Sequence, residues 1–93
     1  MEDKVSVEKV EKYLNLTKTA LAEAQKNIIS GKETQAKEII NMVTNYLSDA
    51  QHFQSKQELV NAFAAINYAH GWLDAGVRLD VFNVNDDSLF TVK

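Results

Sequence analysis

The sequence predicts an all-α protein: an up-down-up bundle of three helices, followed by a short extended or hairpin-like C-terminal segment packed on helix three. Three observations favour this fold class. The 93 residues are enough chain for one modest core and too few for two. There is no proline and there are only three glycines, whereas a sandwich or barrel needs a turn about every eight to twelve residues. Three long segments carry apolar residues at alternating steps of four and three, the spacing of a heptad seam.

Helix one is predicted over about residues 6–29 of a single domain that spans 1–93. The break at Ser30-Gly31 should end it, because glycine readily takes the left-handed conformation that closes a helix. Its apolar stripe comprises Val7, Val10, Leu14, Leu21 and Ile28.

Helix two is predicted over about residues 34–54. Its N-cap is either Ser30, which has Glu33 three residues later, or Thr34. Its stripe comprises Ala36, Ile40, Val43, Leu47 and Ala50.

Helix three is predicted over about residues 56–79. Ser55 and Glu58 have the spacing of a capping box, and Phe53 is available to pack just before it. Because the turn at 54–56 is tight, helices two and three should be antiparallel neighbours. The stripe of helix three comprises Ala62, Ile66, Ala69, Leu73 and Gly76.

Helix three also carries a second apolar seam, and a helix that is apolar on two faces must be covered on both. That seam comprises Ala65, Tyr68, Trp72, Ala75 and Leu79. Either another copy of the protein or the C-terminal segment, residues 80–93, could cover it. The segment is too apolar for a free tail, with Val81, Phe82 and Val84 before a turn-like 85–88, and Leu89, Phe90 and Val92 after it. Folding back onto helix three is favoured, and binding a partner is the alternative.

A candidate interaction surface follows from these two apolar features. Aromatic and aliphatic side chains at helical spacing are typical of packing, and a subunit interface is the best functional variant of that packing. The surface comprises Tyr68, Trp72, Ala75, Leu79, Phe82 and Phe90.

The composition excludes several classes of function. Without cysteine there are no disulfides, thiolate nucleophiles or cysteine-ligated zinc sites. The net charge of −3 and dispersed lysines disfavour nucleic acid as the main partner, since such binding relies on a basic patch. No run approaches the roughly 18 apolar residues of a membrane span, and no early apolar block resembles a signal peptide. We therefore expect a cytoplasmic protein without a cofactor.

The two histidines, His52 and His70, are the only candidates for imidazole chemistry. Asp49 precedes His52 by three residues and Asp74 follows His70 by four, so each pair could share a helical face. The expected positions on antiparallel helices place the two pairs roughly 16 Å apart. Two ligands make a weak site, so no metal is predicted.

A polar stripe on helix three is the candidate ligand site. It comprises Asn67, His70, Asp74 and Arg78. Asp74 four residues before Arg78 is the favourable order for an ion pair, and His70 could carry a proton. The alternative, which we favour, is that this stripe is simply the face that the helix turns to water. The sequence contains neither a phosphate-binding glycine loop nor a glycine-flanked serine elbow, so no catalytic residue is indicated.

The second half of the chain resembles the archaeal domain family of unknown function 357 (DUF357). The resemblance lies in residues 62–75, which read AFAAINYAHGWLDA, then in Arg78-Leu79, in 81–84, in 89–92, and ahead of them in 47–53. It implies a compact three-helix up-and-down bundle, in proteins that stand alone or are appended to nucleotidyltransferase-like enzymes. No catalytic residues are established for the family, so none is carried over. The family's usual tail has a glycine-containing turn near residues 80–82, which this chain lacks.

The expected function is a non-catalytic interaction or assembly module that self-associates or docks to an enzyme partner. The alternative is a small ligand- or nucleotide-related accessory protein or enzyme that uses the polar stripe. Whether the protein is an enzyme is left open, and the lack of a catalytic motif argues against it.

Overall fold

A computed structural model describes residues 5–90, and within them the chain forms three helices and no strand, which confirms the predicted fold class. Helix α1 is Val7–Lys26, α2 is Glu33–Ser55 and α3 is Leu59–Arg78, and all three pack against one another. Within this part of the chain, no helix has the length and apolar character needed to cross a membrane. The predicted tail residues from 91 onward, including Val92, and the first four residues of the predicted domain lie outside the described range.

The core is formed by one stripe from each helix. All five residues of the stripe predicted for α3 are buried, and Ala65 and Val77 join them. In α2, Ile39 takes the buried position that was predicted for Ile40, which is half-buried instead. In α1 the predicted ends of the stripe are wrong, since Val7 and Ile28 are exposed. The buried residues of α1 are Val10, Leu14, Thr17, Ala20 and Ala24.

Helix α1 ends three residues earlier than predicted, because residues 27–29 become extended and pair with the segment that follows α3. Ile28 and Phe82 form an antiparallel bridge. The Ile29 amide donates to the Val81 carbonyl at 2.9 Å, and the Asn83 amide donates to the Asn27 carbonyl at 2.8 Å. The extended C-terminal segment therefore pairs with the α1–α2 connection.

The α1–α2 connection also corrects the predicted cap of α2. Gly31, with φ +91°, sits in a turn that the Lys32 amide closes on the Ile29 carbonyl at 2.9 Å. The N-cap of α2 is Lys32, which makes no side-chain capping bond, so neither Ser30 nor Thr34 serves. Instead, the Glu33 carboxylate accepts a hydrogen bond from the Gly31 amide at 3.0 Å.

The predicted capping box at the start of α3 is wrong, because Ser55 is the last residue of α2 and its hydroxyl donates back to the His52 carbonyl at 2.6 Å. Gln57 takes a left-handed φ of +60°. The Glu58 amide then reaches the Phe53 carbonyl at 2.9 Å, and the Gln57 amide reaches the Gln54 carbonyl at 3.0 Å. This pattern is a Schellman motif, in which the residue after the C-cap is usually glycine.

The C-terminus of α3 repeats that motif. Asp80 has a φ of +60°, and the Val81 amide donates to the Gly76 carbonyl at 2.8 Å. Val81 and Phe82 are thereby turned into the core, where they are 4% and 2% exposed. The tail thus packs on the end of α3 beside Gly76.

A single turn after the paired segment brings Phe90 into the core, where it is 3% exposed. The Asp86 carboxylate accepts hydrogen bonds from the Ser88 amide at 2.9 Å and from the Ser88 hydroxyl. These bonds lower the pKa of Asp86 from its ordinary value of 3.8, the side-chain bond from Ser88 having the largest effect. The Phe90 amide closes the turn on the Asp86 carbonyl at 3.0 Å.

Candidate functional site

The side of α3 that faces away from the core carries a continuous apolar strip, which we term the outer face of α3. Four large side chains of this strip are well exposed: Val60 at 67%, Tyr68 at 63%, Trp72 at 39% and Leu79 at 69%. Positions spaced four and three residues apart lie on one helical side, so the strip is continuous along the helix. The outer face comprises Val60, Ala64, Tyr68, Gly71, Trp72, Ala75 and Leu79.

The outer face is nearly free of charge. The exposed polar residues of α3 beside the strip are Asn61, Asn67 and Arg78, of which only Arg78 is charged, and Lys32 and Glu38 lie near its Leu79 end. The exposed side of α1 is very different, since it carries Glu8, Lys9, Glu11, Lys12, Lys18 and Lys26. A helix whose solvent side is apolar is typical of a surface that another protein covers.

The predicted interaction surface is divided by the structure. Tyr68, Trp72, Ala75 and Leu79 lie together on the outer face. Phe82 and Phe90 were placed on that surface incorrectly, since both are buried in the core. The tail was predicted to cover this seam, but it packs at the end of α3 and leaves Tyr68 and Leu79 exposed, because its backbone pairs with residues 27–29.

Tyr68 is held in place by a neighbouring ring on α2. Its ring stacks on that of Tyr46, with centroids 5.5 Å apart and planes 24° from parallel. Such aromatic pairs are worth about 0.5–1.5 kcal/mol beyond the area they bury. The stacking on Tyr46 therefore restrains the orientation of the Tyr68 ring.

The two glycines of α3 differ in their surroundings. A Cβ atom at Gly76 would lie 2.5 Å from Cε2 and 2.7 Å from Cδ2 of Phe82, so packing of the chain itself requires glycine there. A Cβ atom at Gly71, on the outer face, would meet nothing within 4 Å. A glycine inside a helix costs about 0.5–1 kcal/mol relative to alanine. Nothing within residues 5–90 explains why Gly71 lacks a side chain.

A second candidate site is a groove of about 260 Å³ between α1 and α3, on the other side of Gly71. Its lining combines apolar side chains with polar groups of both helices. Tyr13 of α1 packs edge-on against Phe63 of α3, with ring centroids 5.6 Å apart. The residues lining the groove are Tyr13, Leu16, Thr17, Ile66, Asn67, His70, Gly71 and Asp74.

His70 is held between a hydroxyl and a carboxylate. Its Nδ1 lies 3.2 Å from Oγ1 of Thr17, which is fully buried, and its Nε2 lies 3.8 Å from Oδ1 of Asp74. Because the Asp74 carboxylate is negative and only accepts hydrogen bonds, its nearness favours the tautomer in which Nε2 carries the proton and the Thr17 hydroxyl donates to Nδ1. The 3.8 Å separation is too long for a direct hydrogen bond, so a hydroxyl could bridge the two atoms only from one side of the line that joins them.

Three of the four residues of the predicted polar stripe line the groove. Asn67, His70 and Asp74 line it, whereas Arg78 is exposed one turn beyond and does not. His52 and Asp49 are exposed on α2, away from His70. Among residues 5–90, no cluster of three or more histidine, aspartate or glutamate side chains could hold a metal ion.

The contribution of α1 to this groove was missed by sequence reasoning. The stripe of α1 advances through positions 7, 10, 14, 21 and 28, and the step between 14 and 21 skips Thr17, which occupies a seam position. A hydroxyl at a core position needs a hydrogen-bond partner, so Thr17 was the available signal for a polar contact between helices. Tyr13 and Leu16 flank that position, and no separate signal marks them.

Comparison with known proteins gives one match. The family described as "Protein of unknown function (DUF357)" matches residues 12–82, more than half of the chain. The chain therefore belongs to that family. No curated protein and no solved structure matches it.

Proposed function

We propose that this member of the DUF357 family is a non-catalytic assembly module that self-associates through the outer face of α3. The observation that carries the proposal is the exposure of Val60, Tyr68 and Leu79 at more than 60% each along the apolar outer face of α3. Leaving such a strip in water is unfavourable by roughly 25 cal/mol for each Å² of apolar surface.

The available area supports a stable contact. A covered Tyr or Trp buries about 150–250 Å², so the exposed fractions of 63% at Tyr68 and 39% at Trp72 leave on the order of 100 Å² each. With the other residues of the outer face and its polar edge, each copy offers on the order of 600–800 Å², close to the roughly 800 Å² per partner of a standard interface.

A second copy of the chain is the occupant that the charge pattern favours. A partner that recognised this protein through charge would need complementary groups, and α3 itself contributes one exposed charge beside the strip, Arg78, while Lys32 and Glu38 lie near Leu79 at its end. The strip therefore matches a surface that is itself apolar, and the outer face of another copy is such a surface.

The burial of the hydroxyl that contacts His70 supports a non-catalytic role for this pair. The hydroxyl closest to His70 belongs to Thr17, whose exposed fraction is 0%, so a substrate cannot reach it in this arrangement. A nucleophile and its base need hydrogen-bond contact with each other and access for the substrate.

The test is the solution mass across a range of protein concentrations, measured by sedimentation equilibrium. We expect a shift from 10.5 kDa toward twice that value as concentration rises. Tyr68→Lys and Trp72→Ala should shift the transition to at least tenfold higher concentration without loss of helicity. Val7→Lys, at an exposed position on α1, is the matched control and should leave the transition unchanged. A parent chain that stays monomeric throughout would refute self-association and would point to a different protein as the partner of this face.

Binding of a small hydroxylated molecule in the α1–α3 groove is the second candidate function. It is favoured by the nearness of His70 Nε2 and Asp74 Oδ1, 3.8 Å apart, because one ligand hydroxyl beside the pair could accept from the first and donate to the second. The groove, of about 260 Å³, is open to solvent and large enough to admit a small molecule.

D-Ribose and D-glucose are suitable probes, and their binding is measured by the change in backbone amide chemical shifts. Binding should perturb the amides of Asn67 and Gly71, and Asn67→Ala should abolish the response. Asn45→Ala, at an exposed position on α2, is the control and should leave the response unchanged. Equal perturbation by glycerol would show a general solvent effect and exclude this candidate.

A further inference from the structure

We propose that the two copies pair their α3 helices antiparallel, about a twofold axis that passes between residues 69 and 70, so that Tyr68 of each copy lies against Gly71 of the other. This inference rests on the self-association proposed above and adds the partner's orientation and register. Four observations on the outer face support it.

The spacing of the outer face is that of a helix–helix seam. Ala64, Tyr68, Gly71 and Ala75 advance by four, three and four residues, the alternation found along the seam of a coiled coil. Two such seams pack in register when each side chain of one helix fills a space between side chains of the other. The seam therefore specifies which positions of the second helix it accepts.

At the centre of the antiparallel pair, a large residue meets a small one. With the axis between 69 and 70, Tyr68 lies opposite Gly71, while the flanking apolar positions meet each other, Ala64 opposite Ala75 and Val60 opposite Leu79. A parallel pairing in register would set Tyr68 against Tyr68 and Gly71 against Gly71, so that two rings would meet at one position and a gap would remain at the other. Close packing in an interface favours the antiparallel arrangement over this parallel one.

Gly71 is the residue that the register explains. Within residues 5–90 a Cβ atom there would meet nothing within 4 Å, so alanine would be accepted and preferred in a helix. A tyrosine ring of a second copy laid across the helix at this position would occupy the space that the Cβ would take. The ring of Tyr68 is already fixed by its stacking on Tyr46, which reduces the entropy lost on docking.

The polar edge is compatible with the same register. Arg78, the one exposed charge that α3 itself places beside the strip, falls opposite Asn61 of the second copy, where the guanidinium can donate to a side-chain amide oxygen. It lies about 13 Å along the helix from the axis, at a rise of about 1.5 Å per residue. Two Arg78 side chains therefore stay well apart in the pair.

The absence of native cysteine allows a direct test by disulfide mapping of the full chain. The variants Ala64→Cys and Ala75→Cys are prepared singly, mixed in equal amounts and oxidised mildly. The antiparallel register predicts covalent pairs that join position 64 of one copy to position 75 of the other, in at least tenfold excess over either self-pair. Ala22→Cys, at an exposed position on α1, reports random collision and should give only background cross-linking.

A second variant tests the contact at the centre of the pair. Gly71→Ala should weaken self-association at least tenfold while the monomer stays folded, because its methyl group enters the space of the opposing Tyr68 ring. An unchanged association constant would overturn the proposal.

The outcomes separate this inference from the proposed function. Predominant self-pairs of position 64, or of position 75, in a protein that sediments as a dimer would overturn the antiparallel register and leave self-association intact. A monomer by sedimentation with only background cross-linking would overturn both.

Discussion

Replacing Gly76 with alanine should destabilise the protein although alanine is the better helix former. The added Cβ would lie 2.5 Å from Cε2 and 2.7 Å from Cδ2 of Phe82, and 3.1 Å from Cδ1 of Ile39. Phe82 is 2% exposed, and the hydrogen bonds of residues 81 and 83 tether its backbone, so the ring cannot swing out at low cost. The substitution must therefore displace the paired segment or the core.

The magnitude follows from two opposing effects. Overpacking of this kind costs about 1–3 kcal/mol, and the gain in helix propensity returns up to about 1 kcal/mol. We expect a net loss of about 1–2 kcal/mol in the free energy of unfolding, with a melting temperature lower by roughly 4–16 °C for a domain of this size.

Gly71→Ala is the matched control on the same helix. No atom lies within 4 Å of its added Cβ, so only the propensity gain applies, and the monomer should become about 0.5–1 kcal/mol more stable. Both variants are compared by urea unfolding followed by far-ultraviolet circular dichroism, below the concentration at which association is detected. The free energy of unfolding should fall below that of the parent for Gly76→Ala and rise above it for Gly71→Ala. The two variants should therefore differ from each other by about 2 kcal/mol.

A double variant identifies the source of the effect. When Phe82 is shortened to leucine, Gly76→Ala should lose most of its penalty, because the atoms that the Cβ meets belong to the phenylalanine ring. The contact between Phe82 and Gly76 would be wrong if Gly76→Ala were as stable as the parent. It would also be wrong if the loss of stability were the same with leucine at position 82.

Three further substitutions test local geometry. Gln57→Gly should stabilise the protein by about 0.5–1 kcal/mol in urea unfolding, because Gln57 has a φ of +60° that glycine adopts without strain; a loss of stability would contradict the Schellman motif. Thr17→Val should cost about 1–2 kcal/mol in the same assay, because it leaves Nδ1 of His70 without its hydroxyl partner; no loss would mean the contact contributes nothing. Ser88→Ala should return the pKa of Asp86 toward 3.8 in a carboxyl NMR titration. Since the folded pKa is lowered, the stability it contributes is present above about pH 3.8 and is lost as pH falls through the lowered pKa. The variant should show a weaker acid-side dependence, because the backbone hydrogen bonds from residues 88 and 89 remain.

The helices could be predicted because their seams are periodic over many residues. Ala62, Ile66, Ala69 and Leu73 repeat at a spacing that only a helix places on one side, and all four are buried. The ends of the helices were less predictable, since they depend on tertiary pairing. Residues 27–29 have no local signal against helix, and they leave it because Val81 and Asn83 offer backbone partners.

The two non-glycine turns illustrate a second limit. Gln57 and Asp80 adopt left-handed conformations that sequence reasoning assigns to glycine, and the capping-box pattern at Ser55 pointed elsewhere. The packing of two antiparallel helices determines where the chain must reverse, and its free energy exceeds that of a local capping box. The apolar outer face was foreseen from periodicity, whereas the groove was not, because it requires the relative placement of α1 and α3.

The pairing of residues 27–29 with 81–83 has a consequence for the order of folding. Ile28 and Phe82 are separated by the whole of α2 and α3, so the pairing of residues 27–29 with 81–83 encloses a long loop. Closing such a loop is entropically costly until the α2–α3 hairpin has shortened the distance between its ends. This pairing of residues 27–29 with 81–83, which we term the clasp, should therefore form after the transition state. Substitutions in the clasp should accelerate unfolding while leaving the refolding rate almost unchanged. The amides of Ile29 and Asn83 would then exchange with solvent sooner than those in the middle of α3, so the clasp that completes the fold would be the first part of it to open.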